Sequence, residues 1–137
     1  MTKYTGWLFD AESESVKSVD YTNTNEELCR LLGCTQVKCD QFIGQDGTYC
    51  ILSNENPFDK SFYNELAYCI LSRIQTKWQS FHGNFLVIYM TKTNTKTDGE
   101  EVITIQNMPP ITLTQFVDAC NYAIEHAYTL DKTHQSV

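Results

Sequence analysis

Residues Phe85-Leu86-Val87-Ile88-Tyr89-Met90 are apolar at every position, and a strand of that composition has no face to offer to water. It is expected to lie in the middle of a sheet with both faces covered, or nearly so, because a half-solvated strand would alternate apolar and polar side chains. The run is too short to span a bilayer as a helix, which takes about 20 apolar residues. The rest of the chain must therefore supply flanking strands and helices that cover this strand.

The other strands carry turn signals. Trp7, Phe9 and Ala11 alternate with Leu8 and Asp10, and Val16–Val19 can return beside them across a turn at 12–15. Residues 36–43 and 48–53 flank Gly44-Gln45-Asp46-Gly47, where Asp-Gly is a strong hairpin signal. The central run is partnered by Val102–Ile105, with Thr91–Gly99 taken as a long hairpin loop.

Three helices are marked by their caps. Thr24 followed by Glu27 forms a capping box, Leu28, Leu31 and Leu32 give the inward stripe, and Gly33 suits a left-handed C-terminal cap. A second and longest helix is expected from Asn56 as N-cap and Pro57 at the first helical position to about Trp78, with Phe62, Leu66, Cys69, Ile70 and Ile74 facing inward. A third follows Pro109-Pro110, with Thr112 and Gln115 as its capping box and Leu113, Phe116, Val117, Cys120, Ala123, Ile124 and Ala127 on one face. The order β-β-α-β-β-α-β-β-α predicts an α+β fold, a mostly antiparallel sheet with about three helices packed mainly on one face. A chain of 137 residues is expected to form one domain over residues 1–130, followed by a flexible tail at 131–137.

The net charge of −7 is concentrated early, with ten Asp and Glu against five Lys and Arg in residues 1–60 and seven against five thereafter. Phosphate backbones and anionic membranes both demand clustered Lys and Arg, so neither nucleic acid nor membrane is an expected partner. An acidic surface either keeps the protein soluble or attracts a basic partner. Six cysteines without a secretory signal read as free thiols in a reducing cytoplasm: Cys69 and Cys120 on apolar helix faces, Cys50 inside a strand. Cys29, Cys34 and Cys39 fall at spacings unlike those of zinc ligands, so no metal site is expected.

No catalytic constellation emerges. Of the three histidines, His134 lies in the polar tail, His126 borders the last helix, and His82 precedes Gly83-Asn84 at the start of the central strand. Glu26-Glu27 and Glu100-Glu101 lack the apolar surroundings that general acid–base work needs. Glycine-rich phosphate loops are missing from the sequence, so no cofactor is expected. The candidate ligand-binding residues are Asn54 and Glu55, where a strand gives way to a helix, and His82 and Asn84 at the turn before the central strand.

The N-terminal strand pair, the stretch Glu26–Gly33 (EELCRLLG), the hairpin ending in Ser53-Asn54-Glu55, the GNFLVIY strand at Gly83–Tyr89 and the ITLTQF start at Ile111–Phe116 occur in an order that resembles an uncharacterised family found in bacteriophages, plasmids and large DNA viruses. Members of that family usually leave Asn-Glu through a short glycine-containing loop, whereas here Pro57–Ser80 would insert a helix. The resemblance implies an accessory protein made in the cytoplasm of a host cell and carries no catalytic residues with it. The expected function is non-catalytic binding of a host protein or small-molecule ligand, as in countering a host defence by sequestration. The alternative is a small hydrolase or transferase using His82 or a cysteine thiol.

Overall fold

The computed structural model describes residues 2–43, 47–55, 62–74, 81–94 and 101–121. The strands are β1 (Lys3–Asp10), β2 (Ser15–Thr22), β3 (Val37–Ile43), β4 (Thr48–Asn54), β5 (Phe85–Asn94) and β6 (Glu101–Gln106), and the helices are α1 (Asn25–Leu32), α2 (Glu65–Leu71) and α3 (residues 113–121). The fold is α+β in the expected order. Every strand pairing is antiparallel, and the sheet runs β2-β1-β5-β4-β3 with β6 also on β5. Strand β5 meets β1 through Phe85–Val87 and β6 through Tyr89–Asn94, while β4 lies along its other edge.

Alternate residues of β5 enter different cores. Phe85, Val87 and Tyr89 pack with Phe9 and Ile51 under α2 and α3, which contribute Leu71 and Phe116. Leu86, Ile88 and Met90 pack with Leu8 and Leu52 under α1, which contributes Leu28 and Leu32. Both faces of the central strand are thus covered, with two helices on one side and α1 on the other. Each fully buried aliphatic or aromatic side chain contributes about 1.5–3 kcal/mol by leaving water, and Phe85, Leu86 and Val87 are all at 0% exposure.

The capping residues of α3 form the expected reciprocal box, while at α1 Thr24 caps the helix and the Glu27 carboxylate instead accepts from Arg30. Thr24 Oγ1 accepts the Glu27 amide at 3.3 Å, and Gly33 closes α1 at φ 64°, where Cys34 N–H donates to Cys29 O at 3.0 Å. At α3, Thr112 N–H donates to Gln115 Oε1 at 2.8 Å while Gln115 N–H donates back to Thr112 Oγ1 at 3.1 Å. Phe116, Val117 and Cys120 are buried as expected; Ala123, Ile124, His126, Ala127 and the tail at 131–137 lie outside the described residues.

The second helix differs. It begins at Glu65 with Asn64 as its N-cap and ends at Leu71, so Phe62 and Tyr63 precede it, and Asn56, Pro57 and Trp78 lie outside the described residues. The buried face is Ala67, Leu71 and Ile74, whereas Phe62 and Cys69 are exposed. Of the expected stripe, Ile74 is buried and Leu66 and Ile70 pack partly buried against the same core, and Asn64 rather than periodicity fixes where the helix starts. A smaller difference is that Thr91–Asn94, taken as loop, extends β5 and pairs with Glu101–Thr104; residues 95–100 lie outside the described residues.

The cysteines also differ from six free thiols. The β3–β4 register sets Cys39 opposite Leu52 and Cys50 opposite Gln41, making the two cysteines diagonal neighbours on one face. Their Cα atoms are 6.3 Å apart and the sulfurs form a disulfide, within the Cα range such bonds require. Thiol trapping of the denatured, unreduced protein is therefore expected to label four cysteines, Cys29, Cys34, Cys69 and Cys120, with two more appearing after reduction. Six labels before reduction would show that the β3–β4 pair is open.

Asn64 is 1% exposed and joins three elements at once. Its Nδ2 donates to Phe9 O at 3.0 Å and to Gly83 O at 2.9 Å, and its Oδ1 accepts the Ala67 amide at 3.0 Å. Asn64→Ala removes a helix cap and leaves buried carbonyls without a donor, so a loss of about 2–4 kcal/mol is expected in urea unfolding. Asn64→Asp keeps the cap oxygen but cannot donate, and its loss should be comparable. A stability equal to that of the wild type in either variant would contradict this role.

Candidate functional site

The four candidate residues lie at one end of the sheet, where β1 finishes, β4 finishes and β5 begins. Continuing the β4–β5 register two residues past Leu52 and Leu86 sets Asn54 across from Asn84. Asn54 also pairs with Val37, and the Glu55 amide donates to Gln36 O at 3.0 Å while its side chain is exposed. Asn84 serves the architecture. Its Oδ1 accepts the Ala11 amide at 2.9 Å and its Nδ2 donates to Leu31 O at 3.1 Å. It thereby ties the end of β1 and the C-terminal turn of α1 to the start of β5.

His82 belongs to a neighbouring arrangement. Tyr63 and His82 form an isolated antiparallel bridge, bounded by Asn64 N–H donating to Phe81 O and Gly83 N–H donating to Phe62 O, both at 2.7 Å. Gly83 sits at φ 83°, a conformation that glycine adopts without the steric cost a side chain would add. This turn feeds the chain into β5 directly beneath Asn64. The His82 ring meets that of Tyr63 edge-on, with centroids 5.5 Å apart at 69°.

From this bridge a set of aromatic side chains reaches solvent. Phe62, Tyr63 and Tyr68 are 64%, 51% and 50% exposed. Tyr63 and Tyr68 stand 6.4 Å apart by ring centroid, and Tyr68 rests edge-on against the buried Phe81 at 5.6 Å. The Tyr63 phenol is held above its ordinary pKa, by desolvation first and then by the nearby Tyr68, Glu65 and Cys69.

The same end of the sheet carries the β1–β2 turn. Burial pushes the Asp10 carboxyl up, but the Lys17 ammonium 3.0 Å away and the amides of Ser13 and Glu12 outweigh it and hold the group below its ordinary value. Glu12 and Glu14 project from the turn into solvent, Glu14 with φ 53°.

The structure therefore brings Asn54, Glu55, His82 and Asn84 to one end of the sheet but gives them separate roles, since Asn84 ties the scaffold and His82 packs on Tyr63. The sequence reading missed Phe62, Tyr63 and Tyr68, which it assigned to a continuous helix. The available signal was Asn64 itself, a residue poorly suited to a helix interior and well suited to a cap. No group of three or more His, Cys, Asp or Glu among the described residues is arranged to hold a metal ion, and no described helix is long and apolar enough to cross a membrane. No family model, curated protein or solved structure matches the chain.

Proposed function

We propose that the protein is a non-catalytic binding protein, an accessory factor of a virus or mobile element that acts in the host cytoplasm by holding a host protein or a small-molecule ligand. The observation that carries this reading is the exposed aromatic surface of Phe62, Tyr63 and Tyr68. Exposed aromatic side chains supply large contact area, and interface cores are enriched in them. Here the bridge to His82 and the Asn64 bonds hold the backbone of Phe62–Asn64 in place, so little ordering of that segment would accompany binding. The resemblance to the phage and DNA-virus family supports the accessory role, an associational argument. Countering a host defence by sequestration is the mode of action that fits both.

The test is recovery of the protein from extract of its native cell, with the proteins and small molecules that accompany it. The wild type is expected to retain a partner whose excess at 100 times its dissociation constant adds roughly 2.7 kcal/mol to stability. Combined Phe62→Ser, Tyr63→Ser and Tyr68→Ser should abolish retention while leaving the isolated protein folded, since these side chains are at least half exposed. Unchanged retention would overturn the assignment of the surface. A turnover activity lost in His82→Ala with the fold intact would replace this reading with the hydrolase or transferase alternative.

A further inference from the structure

Among the described residues, the exposed charges at this end of the sheet that form no ion pair are carboxylates. Glu65 opens α2 beside Tyr63, and Glu12, Glu14 and Glu55 lie at the same end of the sheet, all exposed. None of these four carboxylates forms an ion pair among the described residues. Of the described cations, Lys17 is held by Asp10 at 3.0 Å, Lys38 lies 3.7 Å from Asp40, and Arg73 follows the C-terminal end of α2. Aromatic faces with a carboxylate at their edge suit a cation, which the ring quadrupole and the carboxylate both attract. The chain's net charge of −7 adds long-range attraction of the same sign.

We propose that the surface of Phe62, Tyr63 and Tyr68 docks a basic protein segment, with an Arg or Lys side chain over the rings of Tyr63 and Tyr68 and within reach of Glu65. This rests on the binding reading above and names the class of its partner. The charged head lies against the two phenol rings. Glu12, Glu14 and Glu55 favour further basic residues along the same segment.

The probe is a short alternating Arg-Gly peptide, titrated into the full chain at low salt and followed by NMR, beside the same peptide with citrulline for arginine. Citrulline keeps the planar hydrogen-bonding group and loses the charge. The Arg peptide is expected to shift the signals of Tyr63, Tyr68 and His82 and to bind at least fivefold more tightly than the citrulline peptide. Tyr63→Leu keeps the apolar surface and the net charge, and should weaken Arg-peptide binding roughly two- to fivefold at unchanged melting temperature. Glu65→Gln should weaken it further, and raised salt should narrow the difference between the peptides. Equal affinity for the two peptides, no binding of either, shifts confined to another surface, or Tyr63→Leu binding as the wild type does would each overturn the proposal. If the partner retained from native extract depends on the three aromatic residues yet contacts them through no basic side chain, the cationic assignment fails and the binding reading stands. If retention is indifferent to those residues, the binding reading fails first.

Discussion

The burial of β5 on both faces governs this fold. A strand with Leu86, Ile88 and Met90 on one side and Phe85, Val87 and Tyr89 on the other leaves no face that water can wet without losing several kilocalories. Strands β1, β4 and β6 pair with its backbone, and helices are needed above and below it. Among the described helices, α1 covers one face and α2 and α3 the other. The start of β5 is consequently crowded, since chain segments from both layers must be fixed to it, and two asparagines do the fixing. Asn84 joins β1 and α1 on one side, and Asn64 joins β1, the turn at Gly83 and α2 on the other.

That crowding connects scaffold to function. The backbone of Phe62–Asn64 is bonded to Phe81–Gly83, and Asn64 is buried, so the chain just before α2 has a fixed course. Its aromatic side chains Phe62 and Tyr63 stay more than half exposed, although Tyr63 packs against His82 and Tyr68. An arrangement whose polar groups face inward and whose apolar groups face outward inverts the usual distribution, which is why the surface, rather than any single titratable residue, is the feature to explain.

Much of this was legible wherever the determining contacts are local. Thr24 with Glu27, Gly33, Thr112 with Gln115, and the two-sided run at Phe85–Met90 each state their role within a few residues of sequence. Asn64 does not, because two of its three side-chain bonds go to Phe9 and Gly83, which are remote in sequence. Without those partners the apolar residues from Phe62 to Ile74 read as one helical stripe, with Phe62 on its inward face. The Cys39–Cys50 pair depends likewise on the β3–β4 register: the hairpin was legible from Asp46-Gly47, but the diagonal placement follows only once Gln41 is set against Cys50. Strand termini bring Asn54, Glu55, His82 and Asn84 to one end of the sheet, yet their separate roles depend on partners that only the folded chain brings near.

The pairing pattern also bears on how the chain reaches this state. The sheet consists of three hairpins, β1–β2, β3–β4 and β5–β6, each joining neighbours in sequence, and two seams, β1–β5 and β4–β5, joining more distant segments. Loop-closure entropy falls mainly on the seams, and the β1–β5 seam closes the longer loop, from Trp7 to Val87. By this argument the hairpins assemble first and the seam between β1 and β5 closes last. Until it closes, the most apolar strand of the protein has an open edge, and a second chain can compete for it.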